Sequence, residues 1–207
     1  MHISRWATIA AAALTLAAGC GSPQATSPTS QAPAAPSPAS SQPADQAGHN
    51  DADIAFAQQM IPHHAQAIAM AEMATSHATS PKVRELADNI ERAQQPEIDL
   101  MTGWLQTWGA EVPSTNPNDM GDMGHGSSGP MPGMMSPEQM NQMSQAGGAQ
   151  FDRMFLEMMI EHHKGAIEMA QTELNEGENS EAKQLAQKII TDQQAEITQM
   201  QALLQEV

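Results

Sequence analysis

Two adjacent histidines flanked by methionines occur twice in this chain of 207 residues. The run from Met60 to Ala71 reads MIPHHAQAIAMA, and the run from Met159 to Ala170 reads MIEHHKGAIEMA. Imidazole nitrogen and thioether sulfur are together suited to a soft or borderline transition metal, above all copper. The motif therefore predicts a metal site. Its candidate ligands are Met60, His63, His64, Met70, Met159, His162, His163 and Met169.

Matching residues continue at the same offset of 99 positions on both sides of the motif. The matched pairs include Asp53 and Asp152, Phe56 and Phe155, Leu86 and Leu185, Ile90 and Ile189, Glu97 and Glu196, and Met101 and Met200. No gap is needed over roughly fifty residues, which indicates an internal duplication.

The elements that must position these side chains are helices. The composition is rich in Ala, Gln, Glu, Leu and Met, and aromatic residues make up only 3% of it, which favours helices over a β-sandwich or barrel. Apolar residues recur at helical spacing in four long stretches, at about 53–75, 81–108, 149–174 and 180–206. Each repeat thus contains two helices joined by a short connection.

Such a pair of helices forms an antiparallel hairpin, which cannot bury its apolar stripe alone. Two hairpins packed together predict an all-α four-helix bundle with a pseudo-twofold axis. We place the bundle domain at 49–207, with hairpins at 49–109 and 149–207 and a linker at 110–148. Within the linker, Ser136-Pro137-Glu138-Gln139 resembles a capping box and predicts a short helix to about Ala146.

The bundle should bring the two histidine pairs together. Adjacent histidines on one helix point about 100° apart, so one pair seldom chelates one ion. Met60 lies three and four residues before His63 and His64 and can share a metal with either. The helical pattern places His64 inside the apolar face and His63 at its edge, beside Met70.

The linker is rich in methionine among glycine, proline and serine, and we expect no regular structure from 116 to 135. Thioethers in such a segment have no core to fill and match weak, exchangeable capture of Cu(I). The auxiliary ligands predicted here are Met120, Met123, His125, Met131, Met134 and Met135.

The N-terminus has the pattern of a processed leader. Arg5 precedes an apolar stretch that is too short to span a bilayer, and Ala17-Ala18-Gly19-Cys20 resembles a lipoprotein processing site. We predict a signal peptide at 1–19, lipidation at Cys20, and a disordered tether rich in Ser, Pro and Ala at 20–48. The predicted location is extracytoplasmic, anchored to the cell membrane by lipid.

Charge and cysteine content exclude several functions. The formal net charge of −16 argues against nucleic acid and anionic membrane surfaces as partners. Cys20 is the only cysteine, so the folded part has no disulfide and no thiolate ligand. Signatures of nucleophilic catalysis such as Gly-x-Ser-x-Gly are absent from the sequence, so we do not expect an enzyme.

Three alternatives compete with a copper site. A di-metal oxidoreductase of the di-iron type needs Glu-x-x-His pairs, and the sequence contains none. Zinc could use the histidines, but its coordination does not explain so many thioethers. A metal-free stress or interaction module would treat methionine as core filling and histidine as a buried hydrogen-bonding group.

The motif also resembles a known family. Asn50-Asp51-Ala52-Asp53, Phe56, Met60 to His64, Ala67 and Met70-Ala71 are similar to the signature of the bacterial "domain of unknown function 305" family, and residues 155–170 repeat it. The resemblance covers about 48–108 and 149–207. It implies a ferritin-like helical bundle, and some extracytoplasmic members resemble copper-resistance proteins with Met and His ligands.

Together these patterns predict an extracytoplasmic lipoprotein that binds Cu(I), or Ag(I) by similar softness, for sequestration or for handover to a copper-handling partner protein. The oligomeric state does not follow from the sequence.

The lipid anchor can be tested at one atom, the thiol sulfur of Cys20. Replacing Cys20 by Ser removes the acceptor of the lipid, so the protein should move from the membrane to the soluble fraction. Cell fractionation and mass spectrometry of the mature N-terminus measure this. The helical circular-dichroism spectrum should stay the same, and a wild-type protein that is already soluble outside the cell would contradict the prediction.

Overall fold

The computed structural model describes residues 48–116 and 131–207, and all regular structure in these two ranges is helical. The elements are α1 (Asp51–His77), α2 (Pro81–Trp108), α3 (Pro137–Gln145), α4 (Ala149–Glu176) and α5 (Ser180–Leu203). The predicted all-α fold is confirmed. The predicted signal peptide and the predicted lipidation site Cys20 lie outside the described ranges, as does all of the tether except Gly48. Three of the predicted auxiliary ligands also lie outside them: Met120, Met123 and His125.

Helix ends follow the local sequence signals. Asn50 caps α1 by accepting hydrogen bonds from the backbone N–H groups of Ala52 and Asp53. Ser136 and Gln139 form the predicted capping box at the start of α3. None of the helices in the described part of the chain is long and apolar enough to cross a membrane.

α1 and α2 form one hairpin, α4 and α5 form the other, and α1 packs against α4 between them. The outer helices α2 and α5 contact each other much less. The short helix α3 lies against α1 and α4. The bundle therefore depends on one central pair of helices, each of which carries a histidine pair.

Two buried aspartates join the hairpins reciprocally. Asp53, at the start of α1, accepts hydrogen bonds from the backbone N–H groups of Glu178 (3.2 Å) and Asn179 (2.9 Å) in the α4–α5 connection. Asp152, at the start of α4, accepts them from Thr79 (3.1 Å) and Ser80 (2.9 Å) in the α1–α2 connection. Because the start of each central helix meets the far end of the other, α1 and α4 run antiparallel.

The apolar interior consists of two clusters. Core A combines the later part of α1, the first part of α2, α3, the start of α4 and the end of α5, and it contains Phe151, Phe155 and Met159. Core B combines the remaining parts of the four long helices and contains Met60, Trp104 and Leu105. The buried histidines lie along the chain where the two cores meet.

Asp53 also faces a second buried carboxyl group, that of Glu173, which is 1% exposed. Burial raises the pKa of Glu173 to about 8, the neighbouring Asp53 raises it further, and Lys183 opposes this. Burial acts to raise the pKa of Asp53 as well, but hydrogen bonds from the backbone of Asn50, Asn179 and Glu178 bring it below its usual value. Glu173 therefore carries the proton of this pair at neutral pH. The first repeat has Ala74 at the corresponding position.

This pair predicts a pH-dependent stability. The folded protein holds a proton on Glu173 that the unfolded chain releases near pH 4.5, so the contribution to stability is complete below that pH and is lost as pH rises through about 8. We expect the free energy of unfolding to fall by roughly 2 kcal/mol between pH 6 and pH 9 because of this group.

The variant E173Q should remove that fall, because an amide does not ionise at either pH. Urea unfolding at the two pH values measures the effect. The exposed neighbour Glu176 provides the control, and E176Q should behave as the wild type. An unchanged pH dependence in E173Q would contradict the assignment of the proton.

Candidate metal centre

All four histidines of the repeated motif are buried at the contact between α1 and α4. Each is 0 or 1% exposed. The rings of His63 and His162, which occupy equivalent positions in the two repeats, lie against each other with centroids 3.8 Å apart. The bundle thus brings the two histidine pairs together, as the duplication predicted.

His63 differs from its prediction, because it is completely buried and not at the edge of the apolar face. The cause is the linker, whose residues Met131 to Met135 cross the α1–α4 contact. The Pro132 carbonyl accepts a hydrogen bond of 3.0 Å from His63 Nε2. A helical pattern cannot reveal cover that comes from a distant segment.

Two glutamates, to which the sequence patterns assign no role, join the four buried histidines in what we call the histidine layer. Glu97 Oε2 lies 2.8 Å from His64 Nε2, and Glu196 Oε2 lies 2.6 Å from His163 Nε2. They stand on α2 and α5 at equivalent positions. The sequence could have revealed them, because Glu97 and Glu196 are charged residues matched between the repeats on otherwise apolar helix faces.

Glu97 is held in its ionised form. Burial alone would raise its pKa, but the hydrogen bond from His64 and the contact with Lys188 together lower it. Lys188 Nζ lies 2.8 Å from Glu97 Oε1. The first repeat has Asn89 at the position of Lys188, so the two glutamates have different electrostatic surroundings.

These contacts decide which ring nitrogens can bind a metal. Carboxylate and carbonyl oxygens only accept, so Nε2 of His63, His64 and His163 carries the proton and donates. The Nδ1 atoms of these three rings are buried and meet no protein hydrogen-bond partner. In the neutral form of each ring, the lone pair therefore lies on Nδ1. Hydrogen bonding at one ring nitrogen is the usual way to orient the other toward a metal.

His162 is the least satisfied of the four. Neither its Nδ1 nor its Nε2 makes a hydrogen bond. Burial and the neighbouring histidines hold its pKa well below the usual value, although the His63 carbonyl acts weakly in the opposite direction. Burial, with His64 and His163, also lowers the pKa of His63 to about 3 against the opposing effect of Pro132. These two rings are therefore neutral and available as ligands at physiological pH.

The thioethers lie on both sides of the histidine layer. Met60 of α1 and Met169 of α4 belong to core B, whereas Met159 of α4 and Met70 of α1 belong to core A. Each core thus contains one predicted sulfur ligand from each repeat. Of the auxiliary residues, Met131 and Met134 are partly exposed, whereas Met135 is buried in core A. The prediction that the linker methionines have no core to fill is therefore wrong for Met135.

The arrangement suits a soft ion better than a hard one. Within the described ranges, no three side chains among His, Cys, Asp and Glu converge on a point where they could hold an ion. Glu97 and Glu196 are already engaged by histidine. A di-iron centre would need such carboxylates as ligands. The free donors are imidazole nitrogens, and the chemistry of the neighbouring sulfur atoms suits Cu(I) or Ag(I).

The proton positions can be tested without metal. In the apo protein, His63, His64 and His163 should be Nε2–H tautomers, which long-range 15N–1H correlation spectra distinguish from Nδ1–H tautomers. E97A leaves the Nε2–H of His64 without its acceptor and should destabilise the fold by about 1–3 kcal/mol. The His64 signals should shift while those of His63 stay in place. An Nδ1–H tautomer at His64 in the wild type would contradict this geometry.

Solved structures with the same fold include copper- and silver-bound proteins. CopM in the Cu(I)-bound form is 36% identical, with a TM-score of 0.61 over 74% of this chain and 96% of that one. CopM in a silver-bound form is 35% identical, with a TM-score of 0.60 over the same shares of the two chains.

A predicted secreted DUF305 protein from Streptomyces coelicolor is 33% identical, with a TM-score of 0.64 over 75% of this chain and 93% of that one. No curated protein matches the chain. The model of the family called "Domain of unknown function (DUF305)" matches residues 53–204, which is most of the sequence. The chain therefore belongs to the DUF305 family.

Proposed function

We propose that this protein binds Cu(I), or Ag(I), in the extracytoplasmic space, and that it sequesters the ion or hands it to a partner protein. The ligands come from Met60, His63, His64, Met70, Met159, His162, His163 and Met169. The lipid on Cys20 holds the protein at the membrane. In this proposal the ion is cargo that the protein binds and releases, and the site catalyses no reaction.

One observation carries the proposal: the four buried rings present five nitrogens without a hydrogen-bond partner, the Nδ1 atoms of His63, His64 and His163 and both nitrogens of His162. A buried polar atom without a partner costs about 1–3 kcal/mol, and native proteins contain few of them. A layer built only for stability would not carry this cost in both repeats. Four of the five nitrogens can present a lone pair to a metal ion, because neutral His162 has a proton on one of its two nitrogens.

The copper- and silver-bound forms of CopM support the choice of metal, because 96% of the CopM chain is matched by 74% of this one. The donor set supports it independently. Thioether sulfur is a poor ligand for hard ions, so a site that offers imidazole beside methionine discriminates in favour of Cu(I) and Ag(I).

The linker methionines supply weaker sites in this proposal. Ordering a glycine-rich segment around an ion costs conformational entropy for every residue that becomes fixed. Sites that use Met120, Met123 or His125 should therefore exchange their ion faster than the layer does, whereas Met131, Met134 and Met135 are already held in place beside α1. Weak outer ligands suit capture, and the buried layer suits retention.

The sulfur ligands can be tested with substitutions that preserve the core. In the double variant M60L/M159L, leucine keeps the volume and apolarity of methionine, so the free energy of unfolding should change by less than about 3 kcal/mol for the two sites together. The affinity for Cu(I) should fall at least about tenfold, because two soft donors are lost. Anaerobic competition with a chromophoric Cu(I) chelator measures the affinity.

The matched control is M101L/M200L. These two methionines are also buried, equivalent in the repeats and divided between the two cores, but they lie on α2 and α5, which carry none of the proposed ligands. They should leave the affinity unchanged. A third variant, H64N/H163N, should weaken binding further. Equal affinity in all three variants and the wild type would return the layer to a structural role.

A further inference from the structure

The turn Met131–Met134 sits directly over the histidine layer. The backbone N–H of Met134 donates to the Met131 carbonyl (3.3 Å). Pro132 is the second residue of the turn, and Gly133, the third, has a φ of +75°. These features define a type II turn, whose third residue must tolerate a positive φ. The turn is rigid because proline and glycine satisfy its two central positions without strain.

Contacts with α1 hold the turn from one side. Gln66 makes two hydrogen bonds with the backbone of Met135. Its Nε2 donates to the Met135 carbonyl (2.9 Å), and its Oε1 accepts from the Met135 backbone N–H (2.7 Å). Gln66 is 5% exposed, so water competes little for these bonds. The Pro132 carbonyl adds its contact with His63 Nε2.

A close approach to α4 holds the turn from the other side. A Cβ on Gly133 would lie 2.6 Å from the Glu161 carbonyl oxygen and 2.9 Å from that of His162. A Cβ on Gly165 would overlap the Pro132 carbonyl. Only glycine at both positions allows this contact.

The two residues that seat the turn occupy equivalent positions in the two repeats. Gln66 follows its histidine pair at the same place as Gly165 follows the other pair. The first repeat, through Gln66, therefore provides hydrogen bonds to the Met135 backbone. The second repeat, through Gly165, provides room for the Pro132 carbonyl.

We propose that the turn Met131–Met134 is a gate over the His63–His162 pair, that Gln66 and Gly165 are the positioning residues that keep it closed, and that its opening sets the rate at which a soft metal ion enters or leaves. The metal-exchange part of this proposal rests on the proposed function. The closure itself concerns the apo protein.

Two variants open the gate in different ways. Q66A removes both hydrogen bonds to Met135. G165A places a methyl group where the Pro132 carbonyl lies, while alanine is a better helix former than glycine, so α4 itself is not weakened. Two hydrogen bonds of ordinary net strength correspond to a change of roughly five- to 150-fold in the opening equilibrium.

Three rates measure the opening in the full-length protein. They are the hydrogen exchange of the Met135 amide, the modification of His63 and His162 by diethyl pyrocarbonate in the apo protein, and the release of Ag(I) to an excess of a competing chelator. All three should increase at least about fivefold in Q66A and in G165A.

Matched controls separate opening from general loosening. Gln58, also on α1, donates to the Glu111 carbonyl at 2.9 Å, away from the turn, and Gly103 in α2 has open space at its Cβ position. Q58A and G103A should leave all three rates unchanged. Circular dichroism confirms that each variant is folded.

The outcomes decide the two proposals separately. If the amide exchanges faster but release of Ag(I) is unchanged, the gate does not control the metal and this inference is overturned. If the histidines of Q66A and G165A react no faster than those of the wild type, the turn is not a gate. If the wild type binds no Ag(I), the proposed function fails, and the reaction with diethyl pyrocarbonate alone decides whether the turn closes the layer.

Discussion

The reciprocal hydrogen bonds of Asp53 and Asp152 are the constraint on which the rest of the bundle depends. Each carboxylate begins one hairpin and accepts backbone N–H groups from the turn of the other. Hydrogen bonds to a charged acceptor are stronger than neutral ones, and both acceptors are buried. They fix α1 and α4 antiparallel in a register that places the middle of one helix opposite the middle of the other. His63 and His162 therefore meet.

The polar layer between the two cores shows how the bundle tolerates buried imidazoles. Glu97 and Glu196 reach inward from the outer helices and satisfy one nitrogen on each of two rings. Gln94 and Gln193 are also buried one helical turn away, and the side chain of Gln94 meets no protein hydrogen-bond partner. The apolar clusters on both sides stabilise the fold. The middle can thereby keep ring nitrogens that meet no protein hydrogen-bond partner.

Much of this structure could be predicted from the sequence, because periodicity and duplication are local or repeated signals. The four long helices, the short α3 with its Ser136 cap and the pairing of the hairpins all followed from such patterns. The burial of His63 and the roles of Glu97 and Glu196 did not. They depend on contacts between residues separated by 33 to 69 positions, which no helical pattern encodes.

The reciprocal contacts of Asp53 and Asp152 have a consequence for the ancestry of the chain. A single hairpin that paired with a second copy of itself would form the same two aspartate contacts, so a homodimer is a sufficient ancestor for the bundle. Such a dimer must carry the same residue at the places now held by Gln66 and Gly165. Two glutamines would leave no room for the crossing segment, and two glycines would leave it unfastened. Only when both repeats belong to one polypeptide can these two positions carry different residues, one that bonds the crossing segment and one that leaves room for it.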